Sequence, residues 1–352
     1  MKFDGARCHD LLTKKIKPKL AFDENADFSS WRKQVKEKLT ELLGLDVIAE
    51  NACELKMENV SKVQKKGYTQ IYFEFESEEG ALVPCYLLIP DTGKEKYPVA
   101  ITLQGHNKMG FHSSIGNPIS VDETTYDYDL GRGMFAVQAV KHGYIALAID
   151  QRGMGQRRAR NRFDRRVSLN PDGGCYYEAM TGIAMGRTII GERCWDVSRA
   201  IDLLTNFPQC DTEKIVITGN SGGGTASFYA ACVDERIKIS APSCAFCSYA
   251  ESILRVYHCS CNYIPQSYRW FDMQDLACLI APRRLAIVAG EYDTSFFIEG
   301  VTGGYETVQK IYEKAGVKGN CRLVVNQKGH WWCEDVMWNV IDEEFEKLNK
   351  EN

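Results

Sequence analysis

Six short runs of apolar residues recur along the chain, and segments with helical periodicity separate them. The runs are nearly continuous, rich in β-branched residues and end in glycine, aspartate or asparagine, as is typical of strands buried on both faces. They occupy residues 97–105, 144–153, 214–220, 237–244, 284–293 and 321–329. Strands that alternate with helices pair in parallel. The sequence therefore predicts an α/β fold, a doubly wound and mostly parallel sheet with helices on both faces.

The chain before these runs has a different pattern. Residues 68–77 and 81–90 are two strand-like segments joined by a Glu-Glu-Gly turn, which predicts antiparallel strands at the N-terminal edge of the sheet. Further upstream, a helix with apolar residues at helical spacing is predicted, capped by Asp27 and ended by Gly44. We expect residues 1–52 to form a helical extension and residues 53–352 one catalytic domain. Two stretches that resist the pattern, about 154–185 and 246–280, are predicted to be insertions over one end of the sheet.

A glycine-rich turn follows the third of the six predicted strands. Gly219-Asn220-Ser221-Gly222-Gly223 fits the pattern G-x-S-x-G and precedes an amphipathic helix. A sharp turn between strand and helix raises a serine hydroxyl above the sheet and needs small neighbours, so Ser221 is predicted to be a nucleophile. Two alternatives are an ordinary helix N-cap and a phosphate-binding loop. A helix N-cap does not explain the surrounding glycines. A phosphate-binding loop would carry a Lys-Ser/Thr pair directly after its glycines, and the sequence has no such pair there.

A serine nucleophile needs a base, and the chain has only six histidines. His330 follows the last predicted strand, at the sheet edge where a parallel sheet gathers its functional groups, and is the predicted base. The carboxylate that orients the imidazole is predicted to be Asp293, at the end of the preceding strand. Glu291 and Glu251 are the alternative acids.

The negative charge that develops on the oxygen of an attacked carbonyl group needs two backbone N–H donors. The predicted donors are Gly222, directly after the nucleophile, and His106 or Asn107 in the loop after the first strand of the parallel set. The His106 side chain is predicted to support this loop or contact substrate. Further substrate contacts are predicted for Asn107, Trp331, Trp270 and Tyr268. Core packing is the alternative role for the three aromatic residues.

The chain has fourteen cysteines scattered from Cys8 to Cys333. Most lie in apolar segments, so we expect reduced thiols that pack as small hydrophobic residues. Two tighter pairs, Cys244 with Cys247 and Cys259 with Cys261, raise the alternative of a zinc site. The spacing of the second pair is not that of a zinc knuckle, and we therefore predict no metal.

Composition and charge bound the remaining interpretations. No apolar run approaches the roughly 20 residues of a membrane span, and the N-terminus lacks the apolar region of a signal peptide, so a cytoplasmic protein without a membrane partner is expected. The net charge of −4 argues against a nucleic-acid partner. The basic segment 152–166 is predicted to be a solvated loop, with a rim that attracts anionic substrates as the alternative. A homo-oligomer is compatible with the sequence.

These motifs resemble those of the α/β-hydrolase superfamily over about residues 60–350. The order Ser221, Asp293, His330 is that of the superfamily. Three further segments resemble the bacterial esterases grouped with acetyl xylan esterases and dienelactone-hydrolase-type proteins: "RGMGQ", "GRTIIGERCWDVSRAIDLL" and "PRRLAIVAGEYD". The resemblance implies hydrolysis of carboxylic esters, with acetylated carbohydrate as the substrate class and no cofactor.

The sequence thus predicts a serine esterase that acts on a small-molecule ester through a Ser-His-Asp triad and an acyl-enzyme. A peptidase of the same fold and a catalytically inactive binding protein are the alternatives. Labelling of Ser221 by a fluorophosphonate distinguishes an active serine hydrolase from an inactive scaffold.

Overall fold

A computed structural model describes residues 4–107, 109–117, 133–159 and 173–351. Its strands form one mixed sheet of nine strands in the order β1-β2-β3-β5-β4-β6-β7-β8-β9. Their bounds are β1 Glu58–Lys65, β2 Tyr68–Glu76, β3 Leu82–Pro90, β4 Tyr97–Leu103, β5 Ile145–Ile149, β6 Cys210–Asn220, β7 Ile237–Ser243, β8 Arg284–Gly290 and β9 Cys321–Asn326. The six predicted core strands correspond to β4 to β9, so this prediction is confirmed.

The sheet changes direction at its N-terminal edge. Strands β1, β2, β3 and β5 pair antiparallel in succession, whereas β5, β4, β6, β7, β8 and β9 pair in parallel. The predicted antiparallel pair is β2 with β3, in an unbroken register from Tyr68↔Pro90 to Glu76↔Leu82. Strand β1 was not predicted, because all of its residues are exposed and its sequence therefore lacks the alternation of apolar and polar residues that marks a half-buried strand.

Helices cover both faces of the sheet, as predicted. They are α1 Arg7–Thr13, α2 Phe28–Leu43, α3 Leu45–Ala49, α4 Phe135–Lys141, α5 Gly173–Ala184, α6 Ile189–Leu203, α7 Gly222–Val233, α8 Ser267–Trp270, α9 Ala277–Ile280, α10 Ile298–Lys314 and α11 Glu334–Glu351. One apolar core lies between the sheet and α2, α6, α7, α9 and α10. A second core lies on the opposite face beneath α4 and α11.

Helix α2 has the predicted caps and is part of the main core. The Asp27 side chain accepts a hydrogen bond from the backbone N–H of Ser30, and Gly44 ends the helix with φ 73°. Trp31, Val35, Leu39 and Leu43 are buried in the core that covers the sheet. The helical N-terminal segment therefore packs on the parallel strands through its apolar stripe.

The segment after β5 is less exposed than predicted. Arg152 pairs with Asp196 (2.9 Å) and Glu78 (2.7 Å), and Arg157 pairs with Asp196 (2.6 Å). Burial raises the pKa of Asp196, but the two guanidinium groups outweigh it and lower that pKa to about 2. The expectation of a solvated loop is therefore wrong for Arg152 and Arg157, because they neutralise buried carboxylates. The rest of segment 152–166, from residue 160 onward, lies outside the described residues.

Of the two predicted insertions, the first is described only in part and the second in full. Residues 160–172 lie outside the described residues, and helix α5 follows them. Residues 246–280 consist of irregular chain with short helical turns and the helices α8 and α9. Among the described helices, none is both long enough and apolar enough to cross a bilayer.

Candidate active site

Ser221 lies at the turn between β6 and α7, in a backbone conformation that side chains rarely adopt. Its φ and ψ are 56° and −124°. The turn is fixed on both sides: the Ser221 N–H donates to the carbonyl of Ser243 at the end of β7 (2.9 Å), and the Ser221 carbonyl accepts from Thr225 N–H (2.8 Å). Backbone strain of this kind persists only where the surroundings enforce it, and it is found at nucleophile turns.

Close approach of neighbouring chain explains the glycines around Ser221. A Cβ atom on Gly223 would lie 2.0 Å from the carbonyl oxygen of Leu103, and one on Gly219 would lie 2.2 Å from the same oxygen. On Gly222 it would lie 2.7 Å from the ring of His106. The turn is glycine-rich because strand β4, helix α7 and the loop after β4 meet there without space for side chains.

We expect Gly223→Ala to lower the free energy of unfolding by about 1–3 kcal/mol or more, because the new methyl group would collide with backbone rather than with a movable side chain. Gly303→Ala is the matched control. Gly303 lies in α10 with nothing within 4 Å of its Cβ position, so alanine there should raise stability by about 0.5–1 kcal/mol. Urea denaturation of both variants measures the difference. Equal stabilities would contradict the tight turn.

His330 and Asp293 form a hydrogen-bonded pair at the same edge of the sheet. His330 Nδ1 lies 2.8 Å from Asp293 Oδ2. The other carboxylate oxygen, Oδ1, accepts the backbone N–H groups of Ser295 (2.8 Å) and Phe296 (3.0 Å). The Phe296 ring stacks on the imidazole, with centroids 5.8 Å apart and planes 9° apart. Four contacts therefore fix the position and orientation of this pair.

Asp293 is only 4% exposed. Burial raises its pKa, but the hydrogen bond and charge of His330, together with the amides of Phe296 and Ser295, outweigh burial and hold that pKa below its usual value. An ionised carboxylate can only accept, so His330 Nδ1 must donate its proton to it. Nε2 is then the imidazole nitrogen that can accept a proton from a hydroxyl.

Backbone pairing brings the loops of Asp293 and His330 together. Glu291 N–H donates to the carbonyl of Asn326 (2.8 Å), and Tyr292 N–H donates to that of Lys328 (2.9 Å). These bonds continue the pairing of β8 with β9 beyond the strand ends. The side chains of the two loops therefore meet at a fixed register.

Ser221 and His330 line one cavity of about 130 Å³. The other residues around it are Gln104, Gly105, His106, Asn107, Ser113, Gly133, Phe135 and Asn220. The loop after β4 thus supplies His106 and Asn107 to the cavity, as expected for a loop that contributes an oxyanion donor. Asn107 is held in place by a hydrogen bond from its Nδ2 to Ser113 Oγ (3.1 Å).

Several predicted contacts lie elsewhere. Trp270 packs against Lys19 and Lys38, whose ammonium groups lie 4.5 and 4.2 Å from its ring, because α8 faces the N-terminal segment. Tyr268 lines a different cavity of about 330 Å³ and packs edge-on against Tyr249. Neither residue lines the cavity of Ser221 and His330, and their contact with substrate stays a prediction. Trp331 directly follows His330 and is 38% exposed.

The alternative acids do not contact the imidazole. Glu251 Oε2 is bound by Arg255 Nη1 at 2.8 Å, and Glu291 is exposed. Sequence reasoning also missed the neighbours that complete the site, above all Phe296 and Phe135. Phe296 lies three residues beyond Asp293, and only the turn that Asp293 itself caps brings its ring onto His330.

The sheet order, the strained serine turn at the end of a central strand and the histidine–aspartate pair at the next strand ends together define the α/β-hydrolase class. A sequence model of the Abhydrolase family matches residues 6–315, and the chain belongs to this family. A Bacillus subtilis (strain 168) protein described as "Putative hydrolase YtaP" is 24% identical over 253 residues, 70% of this chain and 78% of that protein.

Three solved structures with the same fold are described as esterases. A "putative acetyl xylan esterase" from Bacteroides fragilis NCTC 9343 has a TM-score of 0.75 and 17% identity, covering 92% of this chain and 83% of its own. The "Methylesterase BT1017" has a TM-score of 0.72 and 18% identity, and the match covers 97% of this chain and 69% of that protein. A glucuronoyl esterase from Solibacter usitatus has a TM-score of 0.65 and 15% identity, and the match covers 94% of this chain and 99% of that protein. At sequence identities of 15–18%, the similarity shows a shared fold.

Proposed function

We propose that this protein is a serine carboxylesterase that removes small acyl groups, acetyl foremost, from a carbohydrate alcohol. The observation that carries the proposal is the shared cavity of Ser221 and His330, with the imidazole bound to an ionised carboxylate. Membership of the Abhydrolase family and the esterase descriptions of several fold relatives support the reaction class.

The reaction would proceed through an acyl-enzyme. His330 Nε2 takes the proton of the Ser221 hydroxyl as its oxygen attacks the ester carbonyl, and the same imidazolium then protonates the departing alcohol. In the second half, water gives a proton to Nε2 and its oxygen attacks the acyl carbon, which releases the carboxylic acid and restores the Ser221 hydroxyl. Asp293 stays ionised throughout and stabilises the imidazolium.

The oxyanion would be stabilised by backbone N–H groups around the serine turn. Gly222, the first residue of α7, is the proposed donor from the turn, and His106 or Asn107 is the proposed donor from the loop after β4. Gly222 is buried, and Asn107 is fixed by its side-chain hydrogen bond to Ser113 Oγ. Charge that develops on the carbonyl oxygen would therefore be stabilised without reorganisation of the site.

The size of the cavity supports a short acyl group. About 130 Å³ is small beside the roughly 300–1,000 Å³ of pockets that hold drug-sized ligands. An acetyl group fits such a volume together with the reacting oxygen atoms, whereas a long acyl chain would have to displace packed side chains such as Phe135. We therefore place the bulk of the alcohol outside the cavity.

A panel of naphthyl esters of rising acyl length tests this proposal. We expect kcat/KM to be highest for acetate and to fall about 10- to 100-fold by octanoate, since overpacking costs about 1–3 kcal/mol. Acetylated xylo-oligosaccharides should be deacetylated. A fluorophosphonate should label the protein at Ser221 alone, as mapped by peptide mass spectrometry.

Peptide anilides of matched size serve as the control substrates. Faster cleavage of these amides than of acetyl esters would favour the peptidase alternative. Equal rates for all acyl lengths would contradict the small acyl pocket. An unlabelled protein that hydrolyses no ester would contradict the esterase assignment itself and favour an inactive scaffold.

A further inference from the structure

Four soft metal-binding side chains converge beside the serine turn. They are His106 from the loop after β4, Cys175 from α5, and Cys259 and Cys261 from the 246–280 segment. Their ligand atoms all lie within 4.8 Å of one another. We propose that these residues bind one Zn²⁺ ion in a closed, structural Cys₃His site.

The distances suit tetrahedral zinc. His106 Nε2 lies 3.5 Å from Cys175 Sγ and 3.3 Å from Cys261 Sγ. With Zn–S bonds of about 2.3 Å and Zn–N bonds of about 2.0 Å, a regular tetrahedron puts nitrogen and sulfur about 3.5 Å apart. These two distances therefore match tetrahedral zinc, and all other pairs of ligand atoms lie within 4.8 Å of each other. Three thiolates and one imidazole form a donor set that favours zinc over the harder cations.

The charge of the surroundings also suits a metal–thiolate centre. Arg193 is 1% exposed, and within the described chain its guanidinium pairs with no carboxylate. Its Nη2 lies 3.3 Å from Cys175 Sγ and donates to the carbonyl of Arg152, while Nη1 has no described partner. Zn²⁺ with three thiolates and a neutral imidazole carries a net charge of −1. The buried guanidinium would neutralise that charge.

Apolar side chains pack against the two buried cysteines of the cluster, whereas Cys259 is half-buried and His106 lies at its exposed side. Met154, Ala179 and Ile189 pack with Cys175 and Cys261, each of which is 1% exposed. Cys175 Sγ also lies 3.3 Å from the carbonyl oxygen of Gly153, a contact that a thiol makes as donor and a zinc-bound thiolate would give up. Four protein ligands leave no position for water, so the ion would stabilise structure rather than activate a nucleophile.

The site would join three parts of the chain that are distant in sequence. His106 is 69 residues from Cys175 and 155 from Cys261. The ring of His106 also lies against Gly222, where a Cβ atom would be 2.7 Å from it. Zinc would thus hold the loop after β4 on the serine turn. This site replaces our expectation of no metal, and it differs from the cysteine grouping that the sequence suggested.

Cys244 and Cys247 take no part in it. Cys244 Sγ lies 3.6 Å from the carbonyl of Trp331, and Cys247 Sγ lies 3.6 Å from that of Phe297, both on the side of the His330–Asp293 pair. Only the second half of the cysteine grouping considered from the sequence, Cys259 with Cys261, belongs to the cluster.

Metal analysis of the full-length protein, purified without chelator and freed of any histidine tag, tests the proposal. We expect about one zinc per chain in the wild type and in Cys53→Ser, a matched cysteine outside the cluster, and about tenfold less in Cys261→Ser and Cys175→Ser. X-ray absorption at the zinc edge should show three sulfur neighbours at about 2.3 Å and one nitrogen at about 2.0 Å. Ser221→Ala should keep its zinc, so the result does not depend on the esterase assignment.

Three outcomes would overturn the site. The first is wild-type protein without zinc that also gives no visible absorption typical of tetrahedral cobalt(II) thiolate when cobalt is added. The second is a zinc shell of oxygen and nitrogen alone. The third is equal zinc in Cys261→Ser and Cys53→Ser. Should a cysteine variant fail to fold, the absorption and cobalt measurements on wild-type protein still decide.

Discussion

Ser221→Ala is expected to lower ester turnover by about 10⁴- to 10⁶-fold, the range typical of losing the nucleophile of a serine triad. The variant keeps the cavity, the His330–Asp293 pair and the backbone around the turn, so substrate binding should change little. Steady-state kinetics with naphthyl acetate measures the effect as a loss in kcat with nearly constant KM. Ser29→Ala, an exposed serine on α2, is the control and should be fully active.

Stability measurements separate this loss from misfolding. Ser221→Ala should unfold within about 0.5 kcal/mol of the wild type, because the methyl group replaces a side chain at an already formed turn. Ser221→Gly should be about 1 kcal/mol more stable than the alanine variant, since glycine tolerates φ 56° at little cost. Residual activity of Ser221→Ala above about one-tenth of the wild type would reject Ser221 as the nucleophile.

Asp293→Asn is expected to lower kcat by about 10⁴-fold. The asparagine amide can donate its N–H to His330 Nδ1, which leaves the proton on Nε2, the nitrogen that must accept from Ser221. The variant also lacks the negative charge that stabilises the imidazolium. Turnover of naphthyl acetate at neutral pH gives the measurement.

Glu291→Gln and Glu251→Gln are matched controls, because each removes a nearby carboxylate that does not contact the imidazole. Both should keep wild-type kcat within about twofold. If either control lost as much activity as Asp293→Asn, the acid of the triad would have been assigned to the wrong residue. An Asp293→Asn enzyme with nearly full activity would show that the 2.8 Å contact with His330 plays no part in turnover.

The α/β architecture was predictable because each core strand is an uninterrupted apolar run. Burial on both faces leaves this pattern in the sequence, as in β8, all of whose residues are buried. Strand β1 left no such pattern: Val60 and Val63 are 55% and 48% exposed, and the strand is held by backbone pairing with β2. Edge strands of this kind are defined by a partner rather than by their own residues.

The histidine and aspartate could be proposed from sequence because parallel strands end at one edge of the sheet, and each residue lies in the loop that follows a strand. The residues around the cavity could not be predicted from the sequence. Tyr268 and Trp270 belong to a segment without periodicity, so nothing in the sequence shows which way it faces. The His106 cluster was missed for a related reason, since its four residues come from three segments that only the fold brings together.

The proposed active site draws on strands that are consecutive neighbours in the sheet, β4, β6, β7, β8 and β9. Slipping any of them by one residue would turn its side chains to the opposite face and move its terminal loop by about 3.3 Å. Circular dichroism would hardly register such an error. Recovery of enzymatic activity during refolding is therefore a sensitive reporter of correct β-pairing across more than half of the sheet, and it should lag behind the return of secondary structure.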